Sequence, residues 1–158
     1  PSGRELLAGF YCNELIVRLL GREDANPEAF AAYDRAVSDL AAARPREPVL
    51  RVFELELLDT LGFAPPLAIE PDSGRAVRAE GEYDFLPEHG PVPARGEFTE
   101  GLPRVPGAHL LALASHQLDD PAAQRSARRI LRASLAPLLG PKPLRSRELY
   151  RSMYGSDR

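Results

Sequence analysis

A chain of 158 residues is long enough for one domain with a buried core, with or without a small insert. Its 44% hydrophobic and 27% charged residues are typical of a globular protein and exclude a disordered one. No apolar run approaches the roughly 20 residues that a membrane-spanning helix needs, so we expect no membrane partner. The start, Pro1 to Arg4, is unlike a signal peptide and typical of an internal cut, so we expect missing upstream residues. Cys12 alone excludes an internal disulfide and a cysteine zinc site, and is typical of a cytoplasmic protein.

The net charge of −3 conceals an uneven distribution along the chain. Residues 1–120 contain 11 arginines against 21 acidic residues, whereas residues 121–158 contain eight arginines and Lys142 against only two acidic residues. This asymmetry predicts an anionic partner for the C-terminal part. The alternative is a basic face that docks on the chain's own acidic half.

The first predicted helix covers residues 3–20, with a capping box formed by Ser2 and Glu5. Eleven of the fifteen residues between positions 6 and 20 are apolar, which favours the buried centre of a bundle. We expect only a narrow strip with Glu14 and Arg18 to reach water.

Two more helices are predicted before residue 62. Asn26 and Pro27 are typical of a helix start, and this helix is expected to run to about Ala43. The third spans about residues 47–61 and ends at Gly62. Its expected core stripe consists of Leu50, Phe53, Leu57 and Leu61.

The amino-acid composition changes at residues 62–106, where eight prolines and several glycines exclude a long helix. Turn signals at 72–74 and 87–90 flank short extended pieces at about 76–79 and 83–86, which predict one or two small hairpins. Helices are expected again at about 107–118, 121–139 and 146–154. The predicted fold is therefore mainly α: a helical bundle from residues 1–61 and 107–158, with a small Pro/Gly-rich β or irregular insert at 62–106.

The sequence lacks the common catalytic motifs, and we expect neither an enzyme nor a cofactor. A small metal-dependent hydrolase is kept as an alternative, because four possible ligands fall close together: His109, His116, Asp119 and Asp120. The two aspartates before Pro121 are also typical of a cap that opens the next helix, and we expect no bound metal.

Cations are concentrated near the C-terminus. Those of the long predicted helix recur at spacings of three and four residues, so they share one face. Many flexible cations on one surface suit phosphate contacts, although a solvated charged face is the alternative. The predicted nucleic-acid-binding residues are Arg125, Arg128, Arg129, Arg132, Lys142, Arg145, Arg147 and Arg151.

A second candidate surface surrounds Arg51, which lies beside Leu55 and Leu58 on the third predicted helix. An arginine can bind a carboxylate through two hydrogen bonds, and an adjoining apolar groove would accept a hydrophobic anchor. Together they are the arrangement expected for capturing the C-terminal end of a peptide. The alternative is a surface arginine lying over core leucines.

Three separated segments carry a family resemblance. Residues 138–149 (LLGPKPLRSREL) resemble the C-terminal signature of RecO, a family of bacterial recombination mediators. Residues 47–58 (EPVLRVFELELL), with LGF at 61–63, resemble the central helix of that family, and YCNEL at 11–15 resembles a third motif. The three occur in the family's order and approximate spacing, and the resemblance covers essentially the whole chain.

The resemblance implies a cytoplasmic, nucleoid-associated DNA-repair protein that remodels complexes of single-stranded-DNA-binding protein (SSB), so that strands anneal or recombinase loads. In the family, the acidic C-terminal tail of SSB docks on this helical domain, and Arg51 aligns with an arginine that serves this contact. The expected pocket lining is Leu55, Leu58, Phe10, Tyr11 and Leu15.

Two departures from the family pattern matter. The N-terminal OB-fold domain is missing here, so the contact with RecR and much of the binding to single-stranded DNA are expected to involve mainly that domain. Residues 62–106 resemble a zinc-finger-like region, but the stretches at about 69–74 and 92–95 contain no cysteine, so zinc is not expected. A third possibility is a structural docking domain whose basic face covers the upstream domain.

Overall fold

The structure is a computed structural model that describes residues 2–21 and 25–155. Within these ranges it is mainly α with a small sheet, which confirms the predicted fold class. The elements in chain order are α1 Gly3–Leu19, α2 Pro27–Ala41, α3 Arg46–Leu61, β1 Glu82–Leu86, β2 Gly90–Pro93, β3 Arg104–Pro106, α4 Gly107–Ala114, α5 Pro121–Leu139 and α6 Arg145–Tyr154.

Local signals in the sequence set several helix ends. The backbone N–H of Ser2 donates to the Glu5 carboxylate at 2.7 Å, as expected for a capping box. The Asn26 side chain accepts from the Ala29 N–H at 3.1 Å at the start of α2. Gly62, with a φ of +83°, ends α3 in the left-handed conformation that glycine adopts without a steric penalty.

The centre of the bundle is α3 and not α1, so the prediction for α1 was wrong. α3 packs against α2 and α5 and also contacts α1. It buries leucines, Phe53 and even Arg51 and Glu54. On α1, by contrast, Leu6 is 64% and Val17 is 68% exposed. Apolar composition predicted that α1 has a large hydrophobic surface, but not which faces its neighbours cover.

Glu14 and Arg18 form a clasp between α1 and the segment that joins α5 to α6. The Glu14 carboxylate accepts from the backbone N–H groups of Arg145 and Ser146, at 2.8 and 3.0 Å, and from the Ser146 hydroxyl at 2.7 Å. Arg18 donates to three carbonyl oxygens at 2.7, 2.9 and 3.4 Å, those of Leu139, Lys142 and Pro143. These two residues were expected to face water; instead they fasten α6 to α1.

The sheet is antiparallel, with strand order β2-β1-β3. Tyr83 and Phe85 of β1 and Val105 of β3 are buried. Arg104 donates to both carboxylate oxygens of Asp84, at 2.8 and 3.1 Å, which ties β3 to β1. The extended piece expected at 76–79 forms one bridge, between Ile69 and Ala76.

Candidate arginine-lined pocket

A pocket of about 120 Å³ opens between α1, α3, α5 and α6. It can take a side chain or a short chain end, because a water molecule needs only about 10–15 Å³ by the same kind of measure. Seven arginines and two glutamates line it, together with apolar and aromatic side chains. The lining of this arginine pocket is Arg4, Leu7, Ala8, Tyr11, Arg46, Glu47, Leu50, Arg51, Glu54, Arg128, Arg132, Ser146, Arg147, Tyr150 and Arg151.

Arg51 and Glu54 form a buried ion pair in the wall of this pocket. They are only 6% and 2% exposed, and Arg51 Nη2 lies 2.6 Å from Glu54 Oε1. Arg51 Nε and Glu54 Oε1 nevertheless have no hydrogen-bond partner among the described residues. Burial raises the pKa of Glu54, although the charge of Arg51 acts in the opposite direction. At this distance an ionised Glu54 compensates much of the Arg51 charge, and Arg51 lies buried instead of on the open surface expected from the sequence.

Arg132 contributes positive charge that is poorly compensated. Partial burial, followed by repulsion from Arg147 and Arg128, lowers the pKa of the Arg132 guanidinium. Mutual repulsion of this kind disfavours the empty pocket and is relieved when an anion binds. The three arginines come from two helices, α5 and α6, and meet because the clasp holds α6 against α1.

Aromatic rings support several of the guanidinium groups. Arg147 lies over Tyr11 and Arg46 over Tyr150, each at 5.9 Å from the ring centroid, which is within the range of a cation–π contact. Tyr11 itself is buried, and this burial raises its pKa. It therefore stays a neutral phenol that offers an apolar ring to the pocket.

Only some of the residues predicted to bind the SSB tail lie together in the structure. Arg51 and Tyr11 line the pocket. Leu15, Leu55 and Leu58 are buried in the core, because neighbouring helices cover the corresponding faces of α1 and α3. Phe10 is exposed, and lies in a separate groove between α1 and α2 with Leu6, Tyr33 and Val37.

The apolar part of the pocket instead consists of Leu7, Ala8 and Leu50 beside Tyr11. Sequence reasoning missed these residues and also Arg4 and Arg46, yet helical spacing contains the signal. Arg4, Ala8 and Tyr11 recur at intervals of four and three residues, and the same interval of four separates Arg46, Leu50 and Glu54.

The cations predicted to bind nucleic acid divide into two groups. Arg128, Arg132, Arg147 and Arg151 line the arginine pocket. The other four are exposed and outside its lining: Arg125, Arg129, Lys142 and Arg145. Of these, Arg129 reaches across to β3, where it donates to the Arg104 carbonyl oxygen at 3.3 Å. The expected single stripe on α5 therefore faces two directions, and its binding to nucleic acid stays a prediction.

The alternative metal site is not supported by the geometry. α4 ends at Ala114, and His116 follows with a φ of +59°, so it does not share a helical face with His109. His109 instead pairs with the Ser126 hydroxyl at 2.7 Å, and the Asp120 side chain caps α5 by accepting from the Ala122 N–H. No group of three or more histidine, cysteine, aspartate or glutamate residues in the described ranges could hold a metal ion.

Cys12 is fully buried, and burial raises the pKa of its thiol to about 12. It therefore lacks the thiolate character of a reactive cysteine. None of the helices that the structure describes is long and apolar enough to cross a membrane.

The fold and the site define a class of protein: a helical domain in which four helices form an arginine-lined pocket. Residues 2–148 match the family described as Recombination protein O C terminal, so the chain belongs to the RecO family. It is 42% identical over 157 residues to DNA repair protein RecO of Pseudomonas aeruginosa (strain LESB58), covering 99% of this chain and 66% of that protein.

Other relatives named DNA repair protein RecO agree with this assignment. The protein of Stutzerimonas stutzeri (strain A1501) is 43% identical over 157 residues, which are 99% of this chain and 65% of that protein. The protein of Methylococcus capsulatus is 41% identical over 147 residues, 93% of this chain and 59% of its own length. The chain thus spans slightly less than two thirds of the relatives it matches.

Proposed function

We propose that this chain is a DNA-repair module that binds the acidic C-terminal tail of SSB in the arginine pocket. The observation that carries the proposal is the excess of seven arginines over two glutamates around a cleft with an apolar side. A charge-dense pocket with one apolar wall suits a guest that combines carboxylates with a hydrophobic end. Membership of the RecO family supports a role in DNA repair.

The pocket offers a separate contact for each part of such a guest. Arg132, whose pKa is lowered by partial burial and by repulsion from Arg147 and Arg128, would pair with a carboxylate together with Arg147. Leu7, Leu50 and the ring of Tyr11 would receive the hydrophobic end. Arg51 would act from the pocket wall mainly through its charge, since its Nε is buried and its Nη2 is already held by Glu54.

Substitution of Arg132 tests the proposal most cleanly, because this side chain keeps part of its surface exposed and its loss leaves no buried carboxylate without a cation. We expect Arg132→Ala to weaken binding of an acidic SSB-tail peptide by about 1.5–3 kcal/mol in titration calorimetry, the range for a charge-assisted hydrogen bond. Arg125→Ala is the matched control, because Arg125 lies on the same helix, is exposed and is outside the pocket. Equal affinities for the two variants would remove the pocket from the proposal.

The same module would contact single-stranded DNA through the cations of α5 and α6, supporting strand annealing and recombinase loading in the nucleoid. The contact with RecR and the remaining DNA contacts would lie in the part of the relatives that this chain does not span. If phosphates are bound, the affinity for DNA falls with salt at a log–log slope of roughly 0.7 per contact on a single strand. An affinity that does not respond to salt would contradict the phosphate contacts.

A further inference from the structure

Two sets of residues that the sequence assigned to different anions meet in one place. Arg128 and Arg132 of α5 and Arg147 and Arg151 of α6 belong to the cations expected to bind phosphates, yet they line the same pocket as Arg51. We propose that these four arginines are shared, so that an acidic peptide in the pocket excludes the DNA backbone from them. This inference rests on the proposed function and adds a regulation of the same site.

The size of the pocket argues against simultaneous occupancy. Its volume of about 120 Å³ is about ten times what one water molecule needs by the same kind of measure, so a peptide end that fills it leaves little room for a second guest. Both guests would therefore have to approach the same guanidinium groups from the same opening.

Electrostatics argues in the same direction. Arg128, Arg132 and Arg147 act as one cluster, since partial burial and then the charges of Arg147, Arg128 and Arg51 lower the pKa of Arg132. The lining has seven arginines against the carboxylates of Glu47 and Glu54, and an acidic peptide that pairs with the guanidinium groups compensates much of this excess. Once a peptide has neutralised the cluster, a phosphate would gain little attraction and would meet the negative charge of the first guest.

A bound peptide would exclude the DNA backbone from only part of the basic surface, because some cations lie outside the pocket. Arg125 and Arg129 are exposed on α5 and do not contribute to the lining. They could keep a weaker hold on the strand while the peptide occupies the shared arginines. A module built in this way would release part of the DNA when it captures the tail, and would regain it when the tail leaves.

Fluorescence anisotropy of a labelled oligothymidine tests the sharing, with unlabelled SSB-tail peptide as the competitor. At a free peptide concentration ten times its own dissociation constant, complete exclusion raises the apparent Kd for the oligonucleotide about elevenfold. The log–log salt slope should also fall, by up to about 2.8 if four phosphate contacts are lost at roughly 0.7 each. A scrambled peptide of the same composition and concentration controls for general ionic effects.

Two double variants give a matched comparison. We expect Arg132→Ala with Arg147→Ala to weaken both the peptide and the oligonucleotide, and to abolish the competition. Arg125→Ala with Arg129→Ala should weaken the oligonucleotide alone and leave the peptide affinity and the competition in place. Circular dichroism confirms that each variant is folded before it is used.

The outcomes separate this inference from the proposed function. If the wild-type chain binds both ligands but saturating peptide changes the oligonucleotide Kd by less than about twofold, shared arginines are overturned while tail binding stands. If the Arg132 and Arg147 substitutions leave the oligonucleotide affinity unchanged, the proposal of shared arginines is overturned as well. If the wild-type chain does not bind the peptide, the proposed function fails first and the inference fails with it.

Discussion

Replacement of Arg51 by alanine should be far more damaging than its sequence context suggests. Glu54 is 2% exposed and lies 2.6 Å from Arg51 Nη2, and Glu47 is the only other carboxylate within 4 Å of this guanidinium among the described residues. Removing the arginine leaves a buried carboxylate without its cation. The expected loss of unfolding free energy at neutral pH is about 3–5 kcal/mol, the range for breaking one side of a buried ion pair.

The pH dependence of the Arg51→Ala variant identifies Glu54 as the cause. Burial already raises the pKa of Glu54, and loss of the positive neighbour raises it further. A carboxyl whose pKa is raised in the folded state favours folding most when it is protonated, and this contribution is lost as the pH rises through the folded-state pKa. The deficit of the variant should therefore be smaller in mild acid than at neutral pH.

Urea unfolding of three variants measures this coupling. Arg51→Met combined with Glu54→Leu removes both charges and should restore most of the stability, because replacing a buried pair by apolar residues is often neutral or stabilising. Glu54→Gln alone should also be costly, because it leaves the buried charge of Arg51 with only Glu47, at 3.8 Å, as a partner among the described residues. If the double variant is as unstable as Arg51→Ala, or if Arg51→Ala costs under about 0.5 kcal/mol like an ordinary surface change, the argument is wrong.

Two further predictions concern the scaffold of the pocket. Although partial burial opposes it, hydrogen bonds from Ser146 and Arg145 hold the pKa of Glu14 below its ordinary value. Glu14→Gln should therefore cost about 1–2 kcal/mol at neutral pH in thermal or urea unfolding. This difference should vanish as the pH falls through the lowered pKa; a difference that persists in acid would contradict the clasp. Gly107→Ala should destabilise the start of α4 by more than about 2 kcal/mol, because a Cβ there would lie 1.8 Å from the Arg78 carbonyl oxygen. Gly9→Ala, where a Cβ would meet nothing within 4 Å, is its control, and equal stabilities of the two variants would refute the steric argument.

The sequence predicted the helices well because their ends depend on local chemistry. Asn26 and Asp120 cap the helices that follow them, and Gly62 ends α3, all through contacts within a few residues. α4 was predicted four residues too long, since the apolar run continues to Leu118 although the helix ends before His116. Hydrophobic periodicity does not reveal that His116 adopts a left-handed backbone conformation, which ends the helix.

The pocket was harder to predict, because it depends on which helices cover which faces. Leu55 and Leu58 follow Arg51 at helical spacing, and a single helix gives no sign that other helices bury all three. The cations on α5 were predicted to form a single stripe, but the approach of α6 assigns Arg128 and Arg132 to the pocket and leaves Arg125 and Arg129 outside it. That approach depends on hydrogen bonds between Glu14 and residues more than 130 positions away, which no local pattern contains.

The clasp has a consequence for how the protein is made. Its two halves, α1 and the turn before α6, are more than 130 residues apart in the sequence, so the whole stretch between them must leave the ribosome before they can meet. Until then Arg147 and Arg151 are absent, and the half-built cleft offers fewer positive charges to cellular polyanions. Because long-range contacts of this kind form late during folding, synthesis itself would delay ligand capture until the domain is whole.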